Sequence, residues 1–273
     1  MPHIVPWFYT AGMAGIGLIL GSFANVVIWR FPRGESLSTP GSHCPACDAP
    51  VRWYDNVPVV SWVLLRRRCR SCQQLIAVRY PLVELLSGAL WLLAALVYGV
   101  TAQSVVAALF FYTLLILTFI DLDTMRLPNP IVGGLAVLGT GAALFSQVAD
   151  VPLAPLVGDL RGPLLSAVLG AVLGGGVSGG VAALYSAIRG RSGFGMGDVK
   201  LLGVMGLFLG PYVILALMLG SLVGAVFGVA SAARSNSTLS SKMPFGPFLA
   251  VGGIVTAVAG PSLVDVYLRV AGL

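Results

Sequence analysis

The sequence predicts an all-α integral membrane protein of about eight transmembrane helices, with a small cytoplasmic zinc-binding insert between the first two. Three observations carry this prediction. Of 273 residues, 57% are hydrophobic and only 10% charged, against about 25% charged in a soluble chain. Apolar stretches of roughly 20 residues, the length that crosses a bilayer core, recur along most of the chain. The basic residues also alternate with those stretches as membrane topology requires.

The spans fall at about 8–29, 82–100, 104–120, 130–147, 163–188, 198–209, 211–232 and 246–268, with bounds read to within a few residues. The first, Phe8 to Trp29, is a retained helix and not a secretory signal. Only His3 precedes it where a basic region belongs, it is longer than a signal core, and Arg30 and Arg33 follow it. The 130–147 helix opens after Leu127-Pro128-Asn129-Pro130, and the short 198–209 helix ends at the tight turn Gly210-Pro211. The Gly-rich run Leu173 to Val181 is a helix-packing surface, since apolar residues surround it.

With the N-terminus outside, the cytoplasmic segments are 30–81, 121–129, 189–200 and 233–245. Of 16 Lys and Arg, only Arg161 and Arg269 fall outside them, leaving 14 inside. An odd number of crossings would break this alternation. The net charge of +6 therefore reports topology, and no basic run interleaved with aromatics points to nucleic acid. The organisation follows: a first helix over 1–29, a polar insert over 30–81, and a membrane core over 82–273.

The insert holds all four cysteines, as Cys44-Pro45-Ala46-Cys47 and Cys69-Arg70-Ser71-Cys72. Two CxxC knuckles present four thiolates at the spacing that tetrahedral Zn²⁺ takes, and four such ligands leave no open position for substrate. The site is thus structural. The alternative, two disulfides, conflicts with a reducing cytoplasm. His43 adjoins the first knuckle and is read as a surface residue. A polar insert of some 50 residues buries little core, so metal binding supplies folding free energy.

Ten acidic residues make each one readable. Glu84, just inside the second span, reads first as an N-terminal helix acid favoured by the macrodipole, and second as a group that positions substrate or active-site partners. Asp121 and Asp123 end the third span. Asp198 closes Gly193-Phe194-Gly195-Met196-Gly197-Asp198 as the sixth begins. Acids in or beside spans are functional candidates, although any one of them can simply mark a helix end. Two carboxylates brought together share a proton. The ionised member then activates a water against a peptide carbonyl, while the protonated one donates to its oxygen. No Ser-His or Cys-His pair competes, because His3 is at the terminus and His43 sits beside a knuckle.

These residues resemble the type IV prepilin peptidases, GxGD-type aspartyl peptidases that also N-methylate their product. The matching motifs include Gly21-Ser22-Phe23-Ala24-Asn25-Val26-Val27, both knuckles, and Asp55-Asn56-Val57-Pro58-Val59-Val60-Ser61-Trp62. They continue with Arg79-Tyr80-Pro81-Leu82-Val83-Glu84, Ile120-Asp121 with Leu127-Pro128, Gly195-Met196-Gly197-Asp198-Val199-Lys200-Leu201-Leu202, and Pro244-Phe245-Gly246-Pro247. The resemblance implies that Asp121 and Asp198 are the catalytic pair. It implies prepilin or pseudopilin precursors as partners: a short basic leader removed after glycine on the cytoplasmic side, usually ahead of phenylalanine and an apolar helix. It also implies S-adenosyl-L-methionine as methyl donor and the bacterial inner membrane as location. No Rossmann-type loop marks the methyl-donor site. Asn129 stands where many members carry Asp, and the stretch between Arg33 and Cys44 is short. Two rivals are a GxGD protease cutting within transmembrane helices, whose aspartates lie inside helices, and an ion-coupled transporter, which favours midplane sites on broken helices.

Overall fold

A computed structural model describes residues 5–158, 162–190, 195–235 and 243–272. Apolar runs in lipid must satisfy their own backbone polar groups, and helices do so within one segment. The described residues accordingly form helices α1 (Trp7–Arg30), α2 (Val60–Leu64), α3 (Arg79–Tyr98), α4 (Ala102–Thr124), α5 (Asn129–Ala149), α6 (Pro163–Arg189), α7 (Met196–Leu209), α8 (Val213–Ser235) and α9 (Gly246–Ala271). They contain no strand, only isolated bridges at His43–Pro50 and Arg68–Leu75. All eight expected apolar segments are helical, but not all of them are long enough to span. Seven stretches are long and apolar enough to cross a membrane, the sixth being Met196–Ala233. That stretch is broken at Gly210–Tyr212 into α7 and α8. A Cβ on Gly174 of α6 would touch both Leu202 and Val213, so α8 doubles back along α7. The 14 residues of α7 rise only about 21 Å, short of a hydrocarbon core of about 30 Å.

Two compact units divide the chain at Ile116, within α4. In Met1–Ile116, α1 and α3 run antiparallel, with Ser87 Oγ donating to the Gly17 carbonyl at 2.6 Å. The first half of α4 joins them: Tyr112 donates its hydroxyl to the Leu20 carbonyl at 2.9 Å, and Tyr9 meets Ser104 at 2.6 Å. Arg30 is buried and donates to the carbonyls of Ser36 at 3.1 Å and Gly41 at 3.3 Å, fastening the insert to the end of α1.

In Leu117–Leu273, α6 and α7 pack backbone to backbone. A side chain on Gly206 would collide with the Gly170 carbonyl, so only glycine permits this approach, as small residues do between helices in lipid. One end of the unit gathers the end of α4 and the starts of α5, α7 and α9. The other end is closed by Leu156 donating its N–H to the Phe208 carbonyl at 2.6 Å.

Candidate active site and metal centre

Asp121 lies in the last turn of α4, which continues to Thr124 instead of ending at residue 120. A carboxylate there faces the negative end of its own helix dipole. The compensation comes from another element. Gly246, the first residue of α9, donates its N–H to Asp121 Oδ2 at 2.9 Å, so one orphan amide of the α9 N-terminus is capped by a distant acid. A Cβ on Gly246 would lie 2.8 Å from that oxygen, and glycine is needed for the approach. The next residue, Pro247, has no N–H to satisfy. Asp121 is 4% exposed, whereas Asp123, two residues on, is exposed to the surroundings.

Asp198 is the third residue of α7, and Gly195 is the N-cap. The Gly195 N–H hydrogen-bonds back to the Asp198 carboxyl, the reciprocal half of a capping box. The two aspartates are near enough for the charge of Asp121 to be felt at Asp198. Two further contacts hold the starts of α5 and α7 together. Gly197 lies against Leu127, and Lys200 Nζ donates to Asn129 Oδ1 at 3.0 Å. Gly193 and Phe194 of the glycine loop lie outside the described residues. Sequence reasoning found the acids because they are scarce. It gave no role to Gly246, whose signal was a Gly-Pro pair opening the last span, nor to Asn129 as a partner for Lys200.

The four cysteines converge. Their Sγ atoms all lie within 4.8 Å of one another, and Cys44 and Cys72 are 3.8 Å apart. A tetrahedron of Zn–S bonds of about 2.3 Å has edges of about 3.8 Å. All four are free of disulfide bonds. The knuckles are local duplicates: Cys44 N–H bonds Ala49 and Asp48 N–H bonds Cys44, as Cys69 N–H bonds Gln74 and Gln73 N–H bonds Cys69. Asp48 and Gln73 both take positive φ to close these turns. The thiols already interact. N–H groups of Cys72 and Ser71 pull Cys69 down to about 6. Cys47 accepts a bond from the Ala49 N–H, yet sharing protons with Cys72, Cys44 and Cys69 pushes it up to about 12. Thiolates crowded this way suit a cation at their centre. Arg70, inside the second knuckle, grips Asp55 through Nε at 2.8 Å and Nη2 at 2.6 Å, and this pairing holds the Asp55 carboxyl below the usual range. His43 is exposed, with Nδ1 3.0 Å from the Gly41 carbonyl.

Glu84 is not the first-turn acid that the macrodipole reading expected. Because α3 begins at Arg79, Glu84 is its sixth residue. It is buried, accepts the Val59 N–H at 2.7 Å and bonds Ser22.

Fold and site together define a polytopic helical membrane protein with a four-thiol insert in its first unit and an aspartate pair at one end of its second. Residues 16–98 match the Bacterial Peptidase A24 N-terminal domain, and residues 108–229 match the Type IV leader peptidase family. In an alignment of 299 positions that covers 98% of this chain and 97% of the relative, the chain is 35% identical to the prepilin leader peptidase/N-methyltransferase of Aeromonas salmonicida (strain A449). It is 35% identical to the type 4 prepilin-like proteins leader peptide-processing enzyme of Escherichia coli O78:H11, covering 93% of the chain and 94% of that protein. To the prepilin leader peptidase/N-methyltransferase of Pseudomonas aeruginosa it is 33% identical, over 94% and 92%. No solved structure matches. The chain belongs to the type IV leader peptidase family.

Proposed function

We propose that this protein removes the short basic leader of prepilin-like or pseudopilin precursors after glycine, at the cytoplasmic face of the bacterial inner membrane. It then N-methylates the residue exposed. The observation that carries the peptidase reading is the meeting of Asp121 and Asp198 at one helix-end plane, each held by a glycine amide.

Those amides constrain the chemistry. Asp121 Oδ2 accepts from Gly246, which favours Oδ1 as the oxygen to carry a proton. One aspartate, ionised, takes a proton from the attacking water; the other, protonated, donates to the scissile carbonyl oxygen. Peptide hydrolysis then needs neither metal nor nucleophilic side chain. The four thiols fit a structural zinc ion, which would brace the insert.

S-adenosyl-L-methionine would supply the methyl group. A cavity of about 580 Å³ between α1 and the insert has Ser22, Asn56 and Ser38 as polar partners and Phe23 as an aromatic wall. Its volume suits a nucleotide-sized ligand, and these residues would hold it.

The test is cleavage of a synthetic prepilin peptide by purified protein. Asp121→Asn and Asp198→Asn should each lower the rate at least about a hundredfold while inserting normally, and Asp123→Asn should stay active. Native-rate cleavage by Asp198→Asn rejects the pair. Cutting only within the peptide's apolar helix would move the chain to the intramembrane proteases.

A further inference from the structure

The insert carries an apolar surface that the rest of its unit leaves uncovered. On α2, Val60 is 51% exposed, Val63 59% and Leu64 76%. Three exposed arginines, Arg66, Arg67 and Arg68, follow at once. Among the described residues the insert's ion pair is Arg70–Asp55, and no ion pair engages these three. Scattered exposed apolar residues are ordinary. A contiguous group beside a cluster of cations marks a surface built to meet something.

Its depth says what. Val59, the residue before α2, donates its N–H to Glu84 Oε2, and Glu84 lies five residues along α3, about 7.5 Å from Arg79. The 20 residues of α3 span about 30 Å, the thickness of a hydrocarbon core. On the α1 side, Asn56, Val57 and Pro58 line one cavity with Ser22, Phe23 and Val26. Ser22 is eight residues before the end of α1, about 12 Å along its axis. The segment leading into α2 therefore lies alongside the spans, not beyond their ends. Val59 itself is strained, with φ 60° and ψ −48°, and Val60 donates its N–H to the Pro58 carbonyl at 2.6 Å. This is a positive-φ γ-turn, a rare conformation that the Glu84 bond holds in place. It sends α2 outward at that depth.

We infer that α2 is an interfacial membrane anchor: Val60, Val63 and Leu64 enter the acyl-chain boundary of the adjoining leaflet, and Arg66, Arg67 and Arg68 bind anionic lipid headgroups. Interfacial helices bury their apolar face by 5–10 Å, a range that includes the roughly 7.5 Å of α3 axis between Arg79 and the Glu84 that binds Val59. Arginine clusters beside a membrane collect anionic lipids. Trp62 lies under Arg67, 5.4 Å from guanidinium carbon to ring, where an amphipathic ring belongs at headgroup level. This anchor does not depend on the peptidase reading.

The test uses the full-length protein in nanodiscs of phosphatidylcholine, with or without phosphatidylglycerol. A Leu64→Trp variant adds one emitter at an exposed position, and Val63→Trp provides a second should the first misfold. Relative to wild type, acyl-brominated lipid should quench the added emission about twofold or more, the reach expected for a group 5–10 Å deep. Native mass spectrometry should show wild-type protein retaining phosphatidylglycerol over phosphatidylcholine. Arg66→Gln/Arg67→Gln/Arg68→Gln should lose that preference. Unquenched, water-like emission at both positions overturns the anchor. Quenching without lipid preference in wild type overturns its headgroup half.

Discussion

Glu84 accepts a backbone amide from an element 25 residues away, and its neighbours explain why an acid is tolerated inside a span. Val59 and Ser22 supply hydrogen bonds to its carboxyl, so removing it orphans a buried donor and frees a strained turn. Glu84→Ala should therefore lower stability by about 1–3 kcal/mol, read as a drop in Tm of the purified protein, with faster proteolysis around 55–65. Glu84→Gln keeps an acceptor and should lose less; an equal loss for both would show that the carboxyl does not hold this turn. The macrodipole reading failed because the span was expected to start at 82, which makes Glu84 a first-turn residue. The helix starts three residues earlier. Arg79-Tyr80-Pro81 is polar enough to read as loop, but its Pro sits at the third helical position, where no amide is needed. Asp121 and Asp198 were legible for the opposite reason: with ten acids in 273 residues, each one at a span end is conspicuous. The Gly246 amide was not legible, since nothing local says which helix start will meet which acid.

At the scale of elements, apolar length and charge alternation located all eight apolar helices, because lipid leaves the backbone no alternative. Short α7 was found through Gly210-Pro211, where Gly210 takes φ +55° and starts the turn that reverses the chain. The knuckles were equally legible, since thiol spacing fixes ligand geometry almost without reference to the rest of the fold. What the spacing could not give is the brace across the insert, the bidentate Arg70–Asp55 pair. With four convergent thiols, purified protein should carry one zinc per chain by elemental analysis. A strong chelator, or Cys47→Ser, should raise amide exchange across 42–75 while α5 to α9 stay protected. Metal-free protein with Cys44 and Cys69 readily alkylated in the native state would remove zinc from the account.

On the proposed reading, the whole molecule divides its chemistry between two units. Asp121, Asp198, Gly195 and Gly246 all lie in Leu117–Leu273, whereas the cysteines, Glu84 and the 580 Å³ cavity all lie in Met1–Ile116. On that reading, hydrolysis needs the carboxylate pair. Methyl transfer needs a neutral terminal amine held beside a sulfonium carbon, and no acid of the pair is required to make that amine nucleophilic near neutral pH, where an α-amino group is already partly unprotonated. The activities should therefore separate by unit. Asp198→Asn, unable to cleave, should still methylate a pre-cleaved peptide beginning with phenylalanine at close to the wild-type rate. Cys72→Ser should depress methylation at least as far as cleavage, because the cavity wall at Ser38, Gly41 and Ser42 runs directly into Cys44, and a loosened knuckle leaves that wall unsupported. Incorporation of radiolabelled methyl into the pre-cleaved peptide measures both, and equilibrium binding of the methyl donor shows whether the cavity or the chemistry has been lost. If Asp198→Asn abolishes methylation as fully as cleavage while Cys72→Ser spares it, the donor sits against the aspartates and the division by unit is wrong.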